Sequence, residues 1–95
     1  MPNKRETLFQ QRSRIDIIAS ILECSINGVR KTKLVYKCNL NFSQFNLYKN
    51  CLIKAGLLSN LKQDNNTEIF KTTDKGKEFL EDYRRIKSIL DKMRL

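Results

Sequence analysis

The chain has no histidine and no tryptophan, one proline and three glycines in 95 residues. Without histidine there is no imidazole to serve as a general base, and no Cys/His ligand set for a zinc finger. Cys24, Cys38 and Cys51 are an odd set, spaced 14 and 13 residues apart with no C-x-x-C pair, which excludes a zinc ribbon. Each cysteine lies within an apolar period, so the expectation is three buried free thiols in a reducing compartment. There is no Gly-rich phosphate loop, no paired-carboxylate cleft, and no Ser or Cys with a base in view. The chain therefore reads as a non-enzyme with no metal, no cofactor and no evident small-molecule ligand. No apolar run approaches a membrane span, and the N-terminal MPNKRETLFQQR has no apolar core of signal-peptide length. The expectation is a soluble, cytoplasmic protein without a membrane partner.

The most informative absence is of acids. Between Cys24 and Gln63 there is no Asp or Glu, while the same segment carries Arg30, Lys31, Lys33, Lys37, Lys49, Lys54 and Lys62. Over the whole chain nineteen bases against ten acids give a net charge of +9. A folded surface normally mixes both signs, so a segment of one sign presents a focused positive potential. Its natural partner is a polyanion, and the commonest is nucleic acid. Hydrophobic residues make up 40% of the chain, enough for one small core and not for two.

What is present reads as a succession of short elements. Residues 1–12 form a basic N-terminal arm. Ser13 with Asp16 is an S-x-x-D capping signal, followed by Ile15, Ile18, Ala19, Leu22 and Ile26 at helical spacing and a stop at Asn27-Gly28. A short second helix has Thr32 as its N-cap and turns Leu34, Val35 and Cys38 to the core. The turn Asn39-Leu40-Asn41-Phe42 supplies two inward apolar groups, and Ser43 caps a third helix ending at Gly56. On that helix Phe45, Tyr48, Cys51, Leu52 and Ala55 share one face. Asn46, Asn50 and Lys54 share the other, with Lys49 and Leu47 at its edges. Tyr36, Tyr48 and Phe45 read as core by their spacing. Residues 57–61 and 67–72 read as two strands joined by a polar turn at 63–66. Thr73 then caps a last helix of about 22 residues, on which Phe79, Tyr83, Ile86, Leu90 and Met93 form an a/d seam. Acids crowd its first half and bases its second, in the order that suits the helix dipole.

The predicted fold class is mainly α (α+β): a winged helix-turn-helix with a two-stranded wing and a long C-terminal dimerisation helix. The expected boundaries are 1–12 for the arm, 13–73 for the winged domain and 74–95 for the dimerisation helix. In a helix-turn-helix the start of the second helix of the motif faces base edges in the major groove. That makes Ser43, Gln44, Asn46, Leu47 and Asn50 the candidate base readers. Gln and Asn can pair with adenine through two hydrogen bonds, and Leu47 can touch a thymine methyl. Lys31, Thr32 and Lys33 at the start of the second helix are candidates for holding a phosphate, as are the flanking Lys49, Lys54 and Lys62. Arg12 and Arg14 are further candidates for the backbone or an adjacent minor groove. Tyr83, Ile86, Leu90 and Met93 are the candidate dimerisation residues.

Tyr36, Asn39-Leu40-Asn41-Phe42, Tyr48, the run from Leu52 through Lys54-Ala55-Gly56 to Leu58, and Thr73-Asp74-Lys75-Gly76 at the start of the last helix together resemble the small archaeal winged helix-turn-helix proteins. Their pattern reads Y-x-x-N-L-(S/N)-(Y/F), a Tyr within the third helix, a K-x-G-L-(I/L) exit and T-x-K-G opening the final helix. The resemblance covers about residues 13–90. It implies a basic, chromatin-type protein of the nucleoid that binds double-stranded DNA and forms a homodimer through an antiparallel coiled coil of C-terminal helices. The same pattern serves local transcription regulators and viral proteins. Two departures stand out: the last helix is shorter than in the chromatin-type members, and the turn Asp64-Asn65-Asn66 carries an acid where a basic wing tip would grip phosphate. The functional expectation is a double-stranded DNA-binding protein, a dimeric transcription regulator or an architectural protein, with the helix at 43–55 in the major groove. The alternative is a winged-helix protein-interaction module that does not touch DNA.

Overall fold

The computed structural model describes residues 13–62 and 67–93, and the arm at 1–12 and the turn at 63–66 lie outside them. Among the described residues four helices and three strands follow in the order α1 (Arg14–Cys24), β1 (Val29–Arg30), α2 (Lys31–Lys37), α3 (Phe42–Lys54), β2 (Leu58–Lys62), β3 (Glu68–Thr72) and α4 (Asp74–Met93). The fold is the expected winged helix. Its sheet has a third strand that the sequence reading did not include: the order is β1-β3-β2, with Val29 opposite Phe70 and Leu58 opposite Thr72. A two-residue strand is too short to show any period of its own.

Local chemistry sets the ends of the helices. The Ser13 hydroxyl caps α1 by accepting from the Asp16 N–H, as its spacing implied. The helix stops at Cys24, short of Asn27-Gly28: the N–H of its C-cap Ser25 donates to the Leu22 carbonyl, and the buried Ser25 hydroxyl donates to the Ile21 carbonyl at 2.7 Å. Two expected caps are corrected. Thr32 lies inside α2, whose N-cap is Arg30 and has no side-chain cap bond. Ser43 lies inside α3, whose N-cap is Asn41. Asn41 accepts from the Gln44 N–H at 2.7 Å, and Gln44 Oε1 accepts from the Asn41 N–H at 3.2 Å. This reciprocal capping box satisfies two helix-end donors where a lone serine would satisfy one.

The junction between α3 and α4 is built by the T-x-K-G run. Gly56 takes a φ of +80°, the left-handed turn that ends α3. The Thr73 hydroxyl donates to the Gly56 carbonyl at 2.6 Å and accepts from the Gly76 N–H at 3.0 Å. Lys75 Nζ donates to the Ala55 carbonyl at 3.0 Å. Gly76 is buried where a Cβ would overlap the Leu57 carbonyl and the Thr72 methyl. The end of α3 is thus fastened directly to the start of α4.

The core joins Ile21, Leu22, Leu34, Phe45, Leu52, Leu58, Phe70 and Leu80. Phe45 of α3 meets Phe70 of β3 edge-on, with ring centroids 5.4 Å apart. Such a pair adds about 0.5–1.5 kcal/mol to the burial of its surface. Thr72, buried, donates from its hydroxyl to the Leu22 carbonyl at 2.6 Å, so β3 closes the open end of α1. Three apolar expectations are corrected. Tyr36 is 86% exposed, Phe42 is 55% exposed, and Cys51 is exposed while Cys38 is buried and Cys24 half-buried. Among the described residues no helix is long and apolar enough to cross a membrane.

Candidate nucleic-acid interface

The helix α3 presents a different face from the one its spacing suggested. Anchored by Phe45 against Phe70, its inner arc takes in Leu52, and half-buries Tyr48, Lys49, Ile53 and Asn46. At about 100° per residue, Cys51 falls roughly 120° from Phe45 and Ala55 about 80° on the same side, and both are exposed. The outward arc is therefore Ser43, Leu47, Asn50 and Lys54, all exposed, with Leu47 at 67%.

This rotation separates the candidate base readers. Asn50 and Leu47 stand at the centre of the exposed arc. Asn46 lies at its edge, and its Oδ1 is buried with no hydrogen-bond partner among the described residues. An amide with one end buried cannot offer both its polar atoms to an adenine. Gln44 is exposed, but its Oε1 is committed to the capping box, leaving the NH2 as its remaining polar group. Ser43, in the first turn of α3, is exposed.

The basic candidates are spread over three elements of one small body. Lys31, Thr32 and Lys33 open α2, and no acid stands in that first turn. Lys49 is half-buried and Lys54 exposed on α3, and Lys62 is exposed at the end of β2. Lys62 faces Glu68 across the β2–β3 register, so the wing carries an acid opposite its lysine. Sequence reading missed that pairing because Glu68 lies beyond the turn. Arg14 is exposed at the start of α1, and Arg12 lies outside the described residues.

Three acids of the α1–α4 flank have partners there. Glu23 of α1 receives both its hydrogen bonds from Arg84 of α4, at 2.7 and 2.9 Å. Asp16 accepts from the Ser13 and Tyr83 hydroxyls. Asp82 pairs with Arg85 on α4 itself. The α1–α4 flank is thus electrically balanced, while α2, α3 and β2 carry only positive charge.

The seam of α4 divides in two. Gly76 and Leu80 are buried and Phe79 and Tyr83 half-buried against the domain. Ile86 at 50%, Ile89 at 58%, Leu90 and Met93 are exposed. Tyr83, expected at a dimer contact, uses its hydroxyl within the chain, on Asp16. Ile89, which the a/d count skipped, belongs to the exposed group. Among the described residues no group of three or more His, Cys, Asp or Glu is placed to hold a metal ion.

A sequence profile described as winged helix-turn-helix matches residues 11–91. The chain belongs to this winged helix-turn-helix family. Among solved structures, the DNA-binding protein Sso10a-2 from Sulfolobus solfataricus superposes with a TM-score of 0.73 at 23% identity, covering 87% of this chain and 90% of that one. A MarR-family transcriptional regulator from Silicibacter pomeroyi gives 0.66 at 17% identity, covering 95% of this chain and 62% of that one. The adhesin competence repressor AdcR from Streptococcus pyogenes gives 0.62 at 14% identity, covering 96% of this chain and 70% of that one. Among curated proteins none matches the chain. The family agrees with the archaeal winged-helix resemblance seen in the sequence and with the reading of the chain as a non-enzyme.

Proposed function

We propose that the protein binds double-stranded DNA as a homodimer, with α3 in the major groove, and acts as a transcription regulator or an architectural protein. The observation that carries this reading is the acid-free run of α2, α3 and β2, mounted on a winged helix most of whose acids lie on α1 and α4. Asn50 and Leu47 are the base-facing groups, with Ser43 at the helix start. Lys31, Lys33, Lys54 and Lys62 neutralise phosphates and fix the register of the protein on the duplex. The nucleoid of the cytoplasm is where such a protein works.

The exposed end of α4 supports the dimer. Ile86, Ile89, Leu90 and Met93 are apolar groups left in water together, within two turns of one helix. Antiparallel pairing of two α4 helices through this exposed end covers these four side chains in each copy. Fluorescence anisotropy with a labelled duplex at rising salt tests the DNA reading. Affinity should fall steeply, with a log–log slope of about −0.9 per phosphate neutralised. A flat salt dependence would remove the electrostatic basis of the reading.

A further inference from the structure

Two aromatic rings stand in water on one side of the helix-turn-helix. Tyr36, on the last turn of α2, is 86% exposed, and Phe42, the first residue of α3, is 55% exposed. Together with Leu40 and Val35 they line an open cleft of about 610 Å³. The other phenylalanines of the described chain, Phe45, Phe70 and Phe79, pack in or against the core, so these two rings are not spare core residues. The cleft is also cationic. Lys37 lines it, Lys31 Nζ lies 5.2 Å from the centroid of the Phe42 ring, and no acid lines it. It adjoins the start of α2 through Thr32.

We propose that this cleft is a stacking platform for unpaired nucleotides, giving the protein a second nucleic-acid mode directed at single strands. The occupant follows from two properties that must be met at once. The rings and Leu40 call for a flat, apolar face, and Lys31 and Lys37 call for an anion beside it. A nucleotide in a single strand offers both, whereas the bases of a duplex have their faces buried in the stack. A second copy of this cleft would bring like charges together. An acidic protein segment meets the charge but supplies no flat face at each repeat. This mode shares Lys31 with the duplex reading but stacks on Tyr36 and Phe42, which that reading does not use.

Anisotropy with a short fluorescent oligo(dT), and separately with a duplex, tests the proposal on the full chain. Wild type should bind the strand. Tyr36→Ala and Phe42→Ala should each weaken strand binding by about 5- to 150-fold, the loss expected for one stacked base. Tyr36→Phe, which keeps the ring and drops the hydroxyl, should bind the strand as wild type does. Duplex affinity should change less than about twofold in Tyr36→Ala, as expected of a ring that touches only unpaired bases. Both positions are exposed, and a thermal melt of each variant confirms that it is folded. The proposal is overturned if wild type binds duplex but not strand, if Tyr36→Ala binds the strand normally, or if Tyr36→Phe loses as much as Tyr36→Ala. It is also overturned if Tyr36→Ala spares strand binding but lowers self-association or retention on a Glu/Tyr copolymer. Those outcomes assign the cleft to a second copy or to an acidic protein. Strand binding without duplex binding would sink the duplex reading and leave this one standing.

Discussion

The Tyr83 hydroxyl donates to Oδ1 of Asp16, tying the middle of α4 to the first turn of α1. The bond shifts both groups. It holds the Asp16 carboxyl below its ordinary value, helped by the Ser13 hydroxyl and the charge of Lys87. It pushes Tyr83 up to about 12, with burial and the Asp16 charge adding to the shift. A depressed carboxyl stabilises the fold above its unfolded value of 3.8, and that contribution is lost as pH falls through the folded value. A raised phenol stabilises below 10, and its contribution is lost as pH rises from 10 toward 12. Tyr83→Phe should therefore cost on the order of 1 kcal/mol at neutral pH, a low figure because the pair is partly open to water. Urea titrations across pH should show wild type and variant converging below the Asp16 titration and again near pH 12. A constant difference at all pH values would mean the bond is not formed in solution.

Charge and readout should separate by mutation. Lys33→Ala should weaken every duplex alike and lower the salt slope by about one phosphate. Asn50→Ala should alter preference among sequences, with about 1–3 kcal/mol at stake if Asn50 pairs with an adenine. Asn46→Ala should alter it less, because its Oδ1 is turned into the protein. Competition binding across a randomised duplex library checks the order. Equal and uniform losses for all three would indicate binding without base readout.

Cys51 offers a chemical probe of the same helix. It is exposed on the flank of the outward arc, whereas Cys38 is buried and Cys24 half-buried. A maleimide should label Cys51 first, and saturating duplex should slow that labelling. Unchanged labelling rates in the presence of duplex would place the DNA on another face. The labelled positions are read by peptide mass spectrometry.

The exposed end of α4 should respond in association and not in folding. Leu90→Glu changes a solvent-facing residue, so its effect on the melting of a dilute monomer should be small, within about 0.5 kcal/mol. Light scattering at higher concentration should show a loss of dimer. Ile89→Glu should do the same, which a seam confined to Ile86, Leu90 and Met93 would not require. Unchanged mass in both variants would remove α4 as the dimer contact.

Gly76 is a separate case, one of space. Gly76→Ala places a Cβ against the Leu57 carbonyl, a backbone atom that cannot rotate away. Relief requires α4 to shift on the sheet, at a cost of about 1–3 kcal/mol typical of overpacking. Chemical denaturation measures it, and a neutral result would show that α4 is free to slide.

Much of this architecture is legible in the sequence because its determinants are local. Ser13 and Thr73 cap the helices that their spacing implied, and Gly56 turns the chain where a left-handed residue was needed. The errors have local causes too. Asn41 with Gln44 three residues on is a capping box in its own right, and it starts α3 ahead of Ser43. β1 exists only through its pairing with β3, a contact that no two-residue window contains. The site was harder. The contact of Phe45 with Phe70, some twenty-five positions away, rolls α3 by a fraction of a turn, and that roll decides whether Asn46 or Asn50 faces outward. Tyr36 reads as core by its periodic spacing, yet α2 spans only Lys31–Lys37 and buries only Leu34 and Val35.

The fastening of α3 to α4 by Thr73, Lys75 and Gly76 has a mechanical consequence. It welds α3 to a rod of 20 residues, roughly 30 Å long. If two such rods pair through their exposed ends as proposed, the dimer is a caliper whose jaws are the two α3 helices. The opening of the jaws is then set by how far one rod slides along the other, and a shift of one helical turn at Ile86 or Leu90 changes the distance between the stretches of duplex that the two jaws can grip.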